Sequence, residues 1–315
     1  MARKTGCNLC PRNCNANHSL GESGVCGRKE KEIYVARAAL HMWEEPCISG
    51  NTGSGTVFFS GCPLRCIYCQ NYEIAQTDIG KPITIRRLAE IMIELQDKNA
   101  ANINLVTPTH YTLEIIQAIQ LARNQGLIIP IVYNCSGYEK VDTLRMLEGL
   151  IDIYLTDFKY MDSALAKRYS RAEDYPAIAK SALAEMVRQQ PEPVFSGEKM
   201  EGQDGESICG AQNNGMMRKG VIVRHLLLPN HVRNGKAVIQ YVHETYGNQV
   251  YISLMNQYTP LPQVAGIPEL NRKVTKREYE SLIDFAVSIG VENGFIQEGE
   301  TAKESFIPAF DYEGI

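Results

Sequence analysis

A chain of 315 residues, 44% hydrophobic and 22% charged, is long enough to bury a full core as one large domain or one domain with a small appendage. Its 32 basic and 36 acidic side chains leave a net charge of -4, which offers no electrostatic footing for nucleic acid or an anionic membrane as partner. The start lacks the apolar core of a signal peptide and no later run approaches the ~20 apolar residues of a membrane span. A cytoplasmic protein is therefore expected, and ten cysteines in a reducing compartment point to metal ligation over disulfides.

The first cysteine group is Cys7-x2-Cys10-x3-Cys14-x11-Cys26, interrupted by Pro11, Gly21 and Gly24. Too few apolar residues lie between these thiols to build a core, so a bound metal is the expected organiser. Four thiolates complete a closed site, and zinc or an auxiliary iron-sulfur cluster fits that set. Residues 1–50 read as a Cys-rich N-terminal segment and 51–315 as the main domain. Ile33 to Ala39 reads as a short strand, and His41, Glu44, Glu45 and Cys47 after it read as packed or paired residues rather than ligands. Gly50 to Gly55 makes a tight turn into the apolar run Thr56–Ser60, a buried strand.

The loop leaving that strand carries Cys62-x3-Cys66-x2-Cys69. Thiolates suit iron, sulfide and zinc, and a four-coordinate metal or cubane cluster normally takes four of them. Three together, with no fourth at a matching interval, suggest a cluster with one iron left open. Strands and helices then alternate. Thr84 caps a helix with Leu88, Ile91, Met92 and Leu95 on one face, and Ile103–Val106 is a strand. Thr112 is expected to cap a second helix ended by Gly126. A strand (128–133), a helix (141–150) and a strand (151–156) follow, then a helical stretch, 162–190, broken near Pro176. Beyond a Pro-, Gly- and Gln-rich insertion at 191–218, which holds the lone thiol Cys209, come a strand (221–228), a helix (235–244), a strand (250–255) and a helix (275–289). Six strand-helix units of parallel kind are too few for an eight-stranded barrel, so the expected α/β fold is an incomplete parallel (β/α)6 barrel.

In parallel barrels the site gathers at the C-terminal strand ends. Those ends offer Thr107 to His110, Asn134 to Gly137, Asp157 and Lys159, Arg224 and His225, and Asn256 to Tyr258. Asp157 and Lys159, two apart, fall on one face of an extended strand, where they read equally as a salt bridge.

The C-x3-C-x2-C run with Tyr68 before its last Cys resembles the radical S-adenosylmethionine (SAM) superfamily. The resemblance implies that Cys62, Cys66 and Cys69 hold a [4Fe-4S] cluster whose open iron takes SAM, and that one electron cleaves SAM to a 5'-deoxyadenosyl radical. With Cys7–Cys14, Trp43–Gly50, Gly61–Asn71, Val106–His110 and Arg224–Leu226 added, the chain looks like the PflX-like branch related to pyruvate formate-lyase activating enzymes. In those activases an Asp-x-Lys after the fourth strand and an Arg on the fifth serve SAM, which implies Asp157, Lys159 and Arg224 here, with Tyr68, Thr107 and Asn134 as further cofactor contacts. The chain departs from the superfamily in having Thr107-Pro108-Thr109 where a Gly-Gly-Glu motif commonly holds the SAM ammonium. It also lacks the cysteine-rich insert that some activases carry after the SAM motif. The resemblance implies a flavodoxin- or ferredoxin-type reductant and a glycyl radical enzyme as substrate, with no side chain acting as acid or base. Other readings of the same thiols are an iron-sulfur electron carrier, whose cluster four protein ligands would close, and a zinc-stabilised interaction protein.

Overall fold

The computed structural model describes residues 6–28, 32–77, 79–196, 215–297 and 308–315. After the first cysteine group, β1 (Ile33–His41) leads through the one-turn helix α1 (Pro46–Ser49) to β2 (Ser54–Phe59), and the two strands pair antiparallel. The cysteine loop follows β2, then α2 (Tyr72–Gln76) and β3 (Lys81–Ile83), which pairs with the other edge of β1. Alternation then sets in: α3 (Ile85–Asp97), β4 (Ile103–Val106), α4 (Thr112–Asn124), β5 (Ile131–Cys135), α5 (Val141–Met146) and β6 (Ile153–Asp157). Two helices, α6 (Ser163–Ser170) and α7 (Tyr175–Gln189), and the short β7 (Val194–Ser196) precede β8 (Met216–Leu226). The chain continues with α8 (Val232–Tyr246), β9 (Tyr251–Met255), α9 (Lys276–Ser288) and β10 (Gly294–Ile296).

The sheet runs β10-β9-β8-β6-β5-β4-β2-β1-β3, and every neighbouring pair from β2 to β10 is parallel. The six expected parallel strands are present in the expected order. A seventh, β10, is three residues long, too short for a period to show. β10 and β3 end the pairing order without meeting among the described residues, so the barrel is partial, and the sheet draws on residues on both sides of position 50.

Several boundaries move. The strand expected from Ile128 starts at Ile131, with Ile128 left 87% exposed. The helix expected to reach Leu150 stops at Met146, and β8 starts five residues early at Met216. Pro176 does not break a helix but sits in the first turn of α7, where a missing N–H costs nothing. The break falls just before it, where Arg171 takes a left-handed φ of 50°. Thr84 caps α3 as expected, accepting from the Arg87 N–H. Thr112 does not cap α4; its hydroxyl donates to the Thr109 carbonyl, and Tyr111 occupies the cap position. The expected insertion falls mostly on residues 197–214, Cys209 among them, which lie outside the described residues; β7 and the start of β8 pair antiparallel on either side.

Two apolar layers position the site. Outside the sheet, Leu88, Ile91, Met92 and Leu95 of α3 and Ile115 and Ile119 of α4 are buried against it, each such side chain contributing about 1.5–3 kcal/mol. Inside, Val132, Ile153, Leu155, Ile222 and Tyr251 cluster with Cys47 and Ile48 of α1, so the one-turn helix plugs the floor of the barrel. The strand ends above are tied together. Gly137, at φ 75°, lies so close to β6 that a Cβ would stand 2.2 Å from the Asp157 carbonyl. Gly137→Ala is expected to cost about 1–3 kcal/mol of stability, read as a lower midpoint in urea denaturation.

Candidate active site

The cysteine loop has no regular structure of its own and is held from outside. Arg12 of the N-terminal segment donates to the Pro63 (2.8 Å), Leu64 (3.1 Å) and Ser170 (2.7 Å) carbonyls. The Cys62 N–H donates to the Cys26 carbonyl at 3.0 Å, and Arg65, itself at φ 53°, donates to the Val25 carbonyl. At the far side Ser170 of α6 donates to Cys66 Sγ at 3.1 Å, and its hydroxyl continues through Tyr160 to Tyr68, each step 2.7 Å. Burial pushes the Cys62 thiol up to about 11 and Cys69 higher still. An apolar setting holds such thiols neutral until a metal takes them as thiolates.

These thiols open onto a cavity of about 280 Å³ inside the barrel. Cys62, Cys66 and Cys69 line it together with Tyr68, Thr107, Asn134, Asp157, Lys159 and Arg224, so every residue expected at the cysteine loop and its cofactor site meets in one space. The period of the strands puts them there, since Asp157 and Arg224 alternate with the outward-turned Phe158 and His225. His225 Nδ1 lies 2.8 Å from the Phe158 carbonyl. Thr107 holds a φ of 59°, an unusual conformation for a β-branched residue and of the kind that gathers at functional sites.

The polar wall is a charge network. Arg224 donates to Glu44 Oε2 at 3.0 Å and to Asn134 Oδ1 at 2.5 Å, and its Nε lies 3.3 Å from Asp157 Oδ1 without hydrogen-bond alignment. Lys159 Nζ reaches Asp157 Oδ2 at 2.6 Å, the salt bridge that the spacing allows. Burial alone would lower Lys159, but the Asp157 carboxylate outweighs it and keeps the ammonium charged; burial would raise Asp157, and Lys159 and Arg224 together hold it below the usual range. Glu44 also accepts from Asn104 at 2.8 Å and Asn134 at 3.3 Å. Glu44 is paired, as its sequence context suggests, but its partner is the central arginine of the cavity. That role was out of reach of the sequence, because the two are 180 positions apart.

Other strand-end groups point elsewhere. His110 is buried with Nε2 2.7 Å from the Ser60 carbonyl and is pushed down to about 4 by burial. Thr109 donates to Glu139, and Tyr258 to the Leu270 carbonyl. In the N-terminal group, a Cβ on Gly24 would lie 3.2 Å from Cys26 Sγ, 3.5 Å from Cys14 Sγ and 3.3 Å from His18 Cε1. Cys10 and Cys26 are buried, which pushes their thiols up to about 12 and about 11. Among the described residues no three His, Cys, Asp or Glu converge on a single metal ion. A [4Fe-4S] cluster does not require that convergence, because each thiolate binds its own iron, and three thiols on one loop facing one cavity fit it.

Removing one member of a buried ion pair leaves its partner's charge uncompensated. Arg224→Met is expected to lower stability by about 3–5 kcal/mol, and adding Glu44→Gln in the same chain should recover part of that loss in a double-mutant cycle of urea denaturation.

Comparison with known proteins bears on this site. An uncharacterised protein of Methanocaldococcus jannaschii is 28% identical over 292 residues, 89% of this chain and 74% of its own. A Haemophilus influenzae protein named as a glycyl-radical enzyme activating enzyme is 25% identical over 115 residues, 36% of this chain and 43% of its own. The crystal structure of Streptococcus suis SuiB with its precursor peptide SuiA is similar at a TM-score of 0.47 and 14% identity, covering 77% of this chain and 48% of SuiB. The chain thus spans less than half of the length of the last two. No helix of the described residues is long and apolar enough to cross a membrane. Residues 56–188, from β2 and its cysteine loop into α7, match the Radical SAM superfamily, and the chain carries a radical SAM domain.

Proposed function

We propose that this protein is a radical SAM enzyme that activates a glycyl radical enzyme. The observation that carries the reading is the opening of three thiols on one loop into the same cavity as the polar ends of β4, β5, β6 and β8. In this reading Cys62, Cys66 and Cys69 hold a [4Fe-4S] cluster, and the bound cluster and SAM supply reductive cleavage of SAM and a radical that abstracts hydrogen. The chain's own residues bind, orient and exclude water. Lys159 and Arg224 offer cations for the SAM carboxylate; Asp157, Asn134 and Thr107 offer acceptors; Tyr68 braces the loop through Tyr160 and Ser170. A flavodoxin- or ferredoxin-type protein would deliver the electron. Activation of a glycyl radical enzyme rests on the 115-residue similarity to the Haemophilus influenzae protein and on the sequence resemblance, and the hydrogen would then come from a backbone glycine of that partner.

The N-terminal thiols Cys7, Cys10, Cys14 and Cys26 are proposed as a second metal position, zinc or iron-sulfur, that keeps the Arg12 clamp and the Cys26 carbonyl in place against the cluster loop. The test is electron paramagnetic resonance on anaerobically reconstituted, dithionite-reduced protein. A reduced [4Fe-4S] signal that changes when SAM is added, and is lost in Cys66→Ala, is the expected outcome. A signal indifferent to SAM returns the protein to the electron-carrier reading, and retention of zinc without iron to the interaction-protein reading.

A further inference from the structure

A file of hydroxyls ends on the cysteine loop, away from the charged wall of the cavity. Tyr68 Oη lies 2.7 Å from Tyr160 Oη, Tyr160 Oη 2.7 Å from Ser170 Oγ, and Ser170 Oγ 3.1 Å from Cys66 Sγ. All four side chains are buried, and hydrogen bonds removed from bulk water are electrostatically stronger than exposed ones. The parts come from three places: Tyr68 from the loop itself, Tyr160 from the chain just past β6, and Ser170 from the last position of α6. Neighbours fix each of them. Tyr160 meets Tyr175 edge-on at 5.2 Å, Tyr68 meets Tyr169 edge-on at 6.3 Å, and Arg12 donates to the Ser170 carbonyl at 2.7 Å.

Counting protons gives the file a direction. Three links join these four polar atoms, and each hydroxyl has one proton to give. With Cys66 as a thiol there is a proton too many, and the file can run either way. As a metal-bound thiolate Cys66 can only accept. Ser170 then gives its proton to Cys66, which obliges Tyr160 to donate to Ser170 and Tyr68 to donate to Tyr160. Every O–H in the file is thereby aimed at the sulfur, an order in which each bond polarises and strengthens the next. The last bond, onto a charged acceptor, is of the strong, charge-assisted kind.

We infer that Tyr68, Tyr160 and Ser170 form a one-way relay that raises the reduction potential of the metal group on Cys66, with Tyr160 acting on that group without touching it. The inference rests on the [4Fe-4S] cluster proposed at Cys62, Cys66 and Cys69. One-electron reduction adds negative charge that the sulfurs share, and donors aimed at Cys66 stabilise the reduced form more than the oxidised one. Ser170 and Tyr160 are positioning residues in this account: they act through the Cys66 sulfur and bring the cluster within easier reach of its reductant.

A redox titration of the full chain, reconstituted anaerobically with iron and sulfide and followed by the paramagnetic signal without SAM, tests the relay. At a fixed potential the ratio of reduced to oxidised cluster is expected to fall about three- to tenfold in Ser170→Ala, tenfold being about 59 mV for one electron. Tyr160→Phe, which keeps the ring and its packing, is expected to lower the ratio about twofold, and Ser170→Thr, which keeps the hydroxyl, to restore it. Tyr138→Phe serves as the control, because its hydroxyl donates to Asp174 and has no link to Cys66; its ratio should match that of the unaltered chain. Potentials that ignore both Ser170→Ala and Tyr160→Phe, or that move as far in Tyr138→Phe, overturn the inference. Should Ser170→Ala hold no cluster, Tyr160→Phe decides, and loss of the cluster in both overturns the relay by making the hydroxyls merely structural. An unaltered chain that holds no [4Fe-4S] cluster removes the proposed function and this inference together. A cluster indifferent to SAM removes the radical reading alone and leaves the potentials standing, so the two failures are separable.

Discussion

The constraint on which this structure turns is the buried guanidinium of Arg224. A cation inside a barrel is tolerable only if anions and hydrogen-bond acceptors surround it, because the loss of water costs more than one partner returns. Asp157 comes from the adjacent parallel strand, in register with Arg224, and Asn134 from the strand beyond. Glu44 cannot come from a strand of the parallel set. It is brought in by the connection between the antiparallel β1 and β2, which dips under the barrel so that Cys47 and Ile48 fill the apolar floor while Glu44 and Glu45 reach the polar layer above. The same short segment therefore closes the core and completes the charge balance, which is why the N-terminal hairpin is inseparable from the site.

The cysteine loop obeys a second requirement. A loop that must present three thiols to one space cannot spend its own backbone on regular structure, so distant residues meet it: Arg12 takes its carbonyls, the Cys26 and Tyr169 carbonyls take the Cys62 and Ile67 N–H groups, the Val25 carbonyl takes the Arg65 guanidinium, and the Ser170 hydroxyl takes the Cys66 sulfur. Hydrogen bonds to cluster sulfurs set reduction potentials, and with a cluster on Cys66, as proposed, the Ser170 hydroxyl would act in that way. The N-terminal cysteine segment thus acts on the site through the Arg12 guanidinium and the Val25 and Cys26 carbonyls.

The sequence carried much of the architecture. Apolar runs of four to six residues with helical stripes between them mark β2, β4, β5, β6, β8 and β9 and their order, since parallel strands buried on both faces cannot be mistaken for exposed ones. It also carried the cysteine loop, Asp157, Lys159, Arg224, Asn134 and Thr107, because the parallel fold delivers strand-end residues to one rim. His110 and His225 occupy equally suggestive positions but turn into backbone carbonyls, and no spacing rule distinguishes them from the residues that face inward.

What the sequence determined by itself is what depends on local period and spacing: the strand-helix alternation, the three-thiol loop and the polar strand ends. What the tertiary structure alone decided is which distant groups share the buried space: Glu44 on Arg224, Ser170 on Cys66, and the Cys26 carbonyl on Cys62. Those pairings span 36 to 180 positions, and they exist because removing charge and backbone polarity from water forces a partner to be found wherever the fold can supply one.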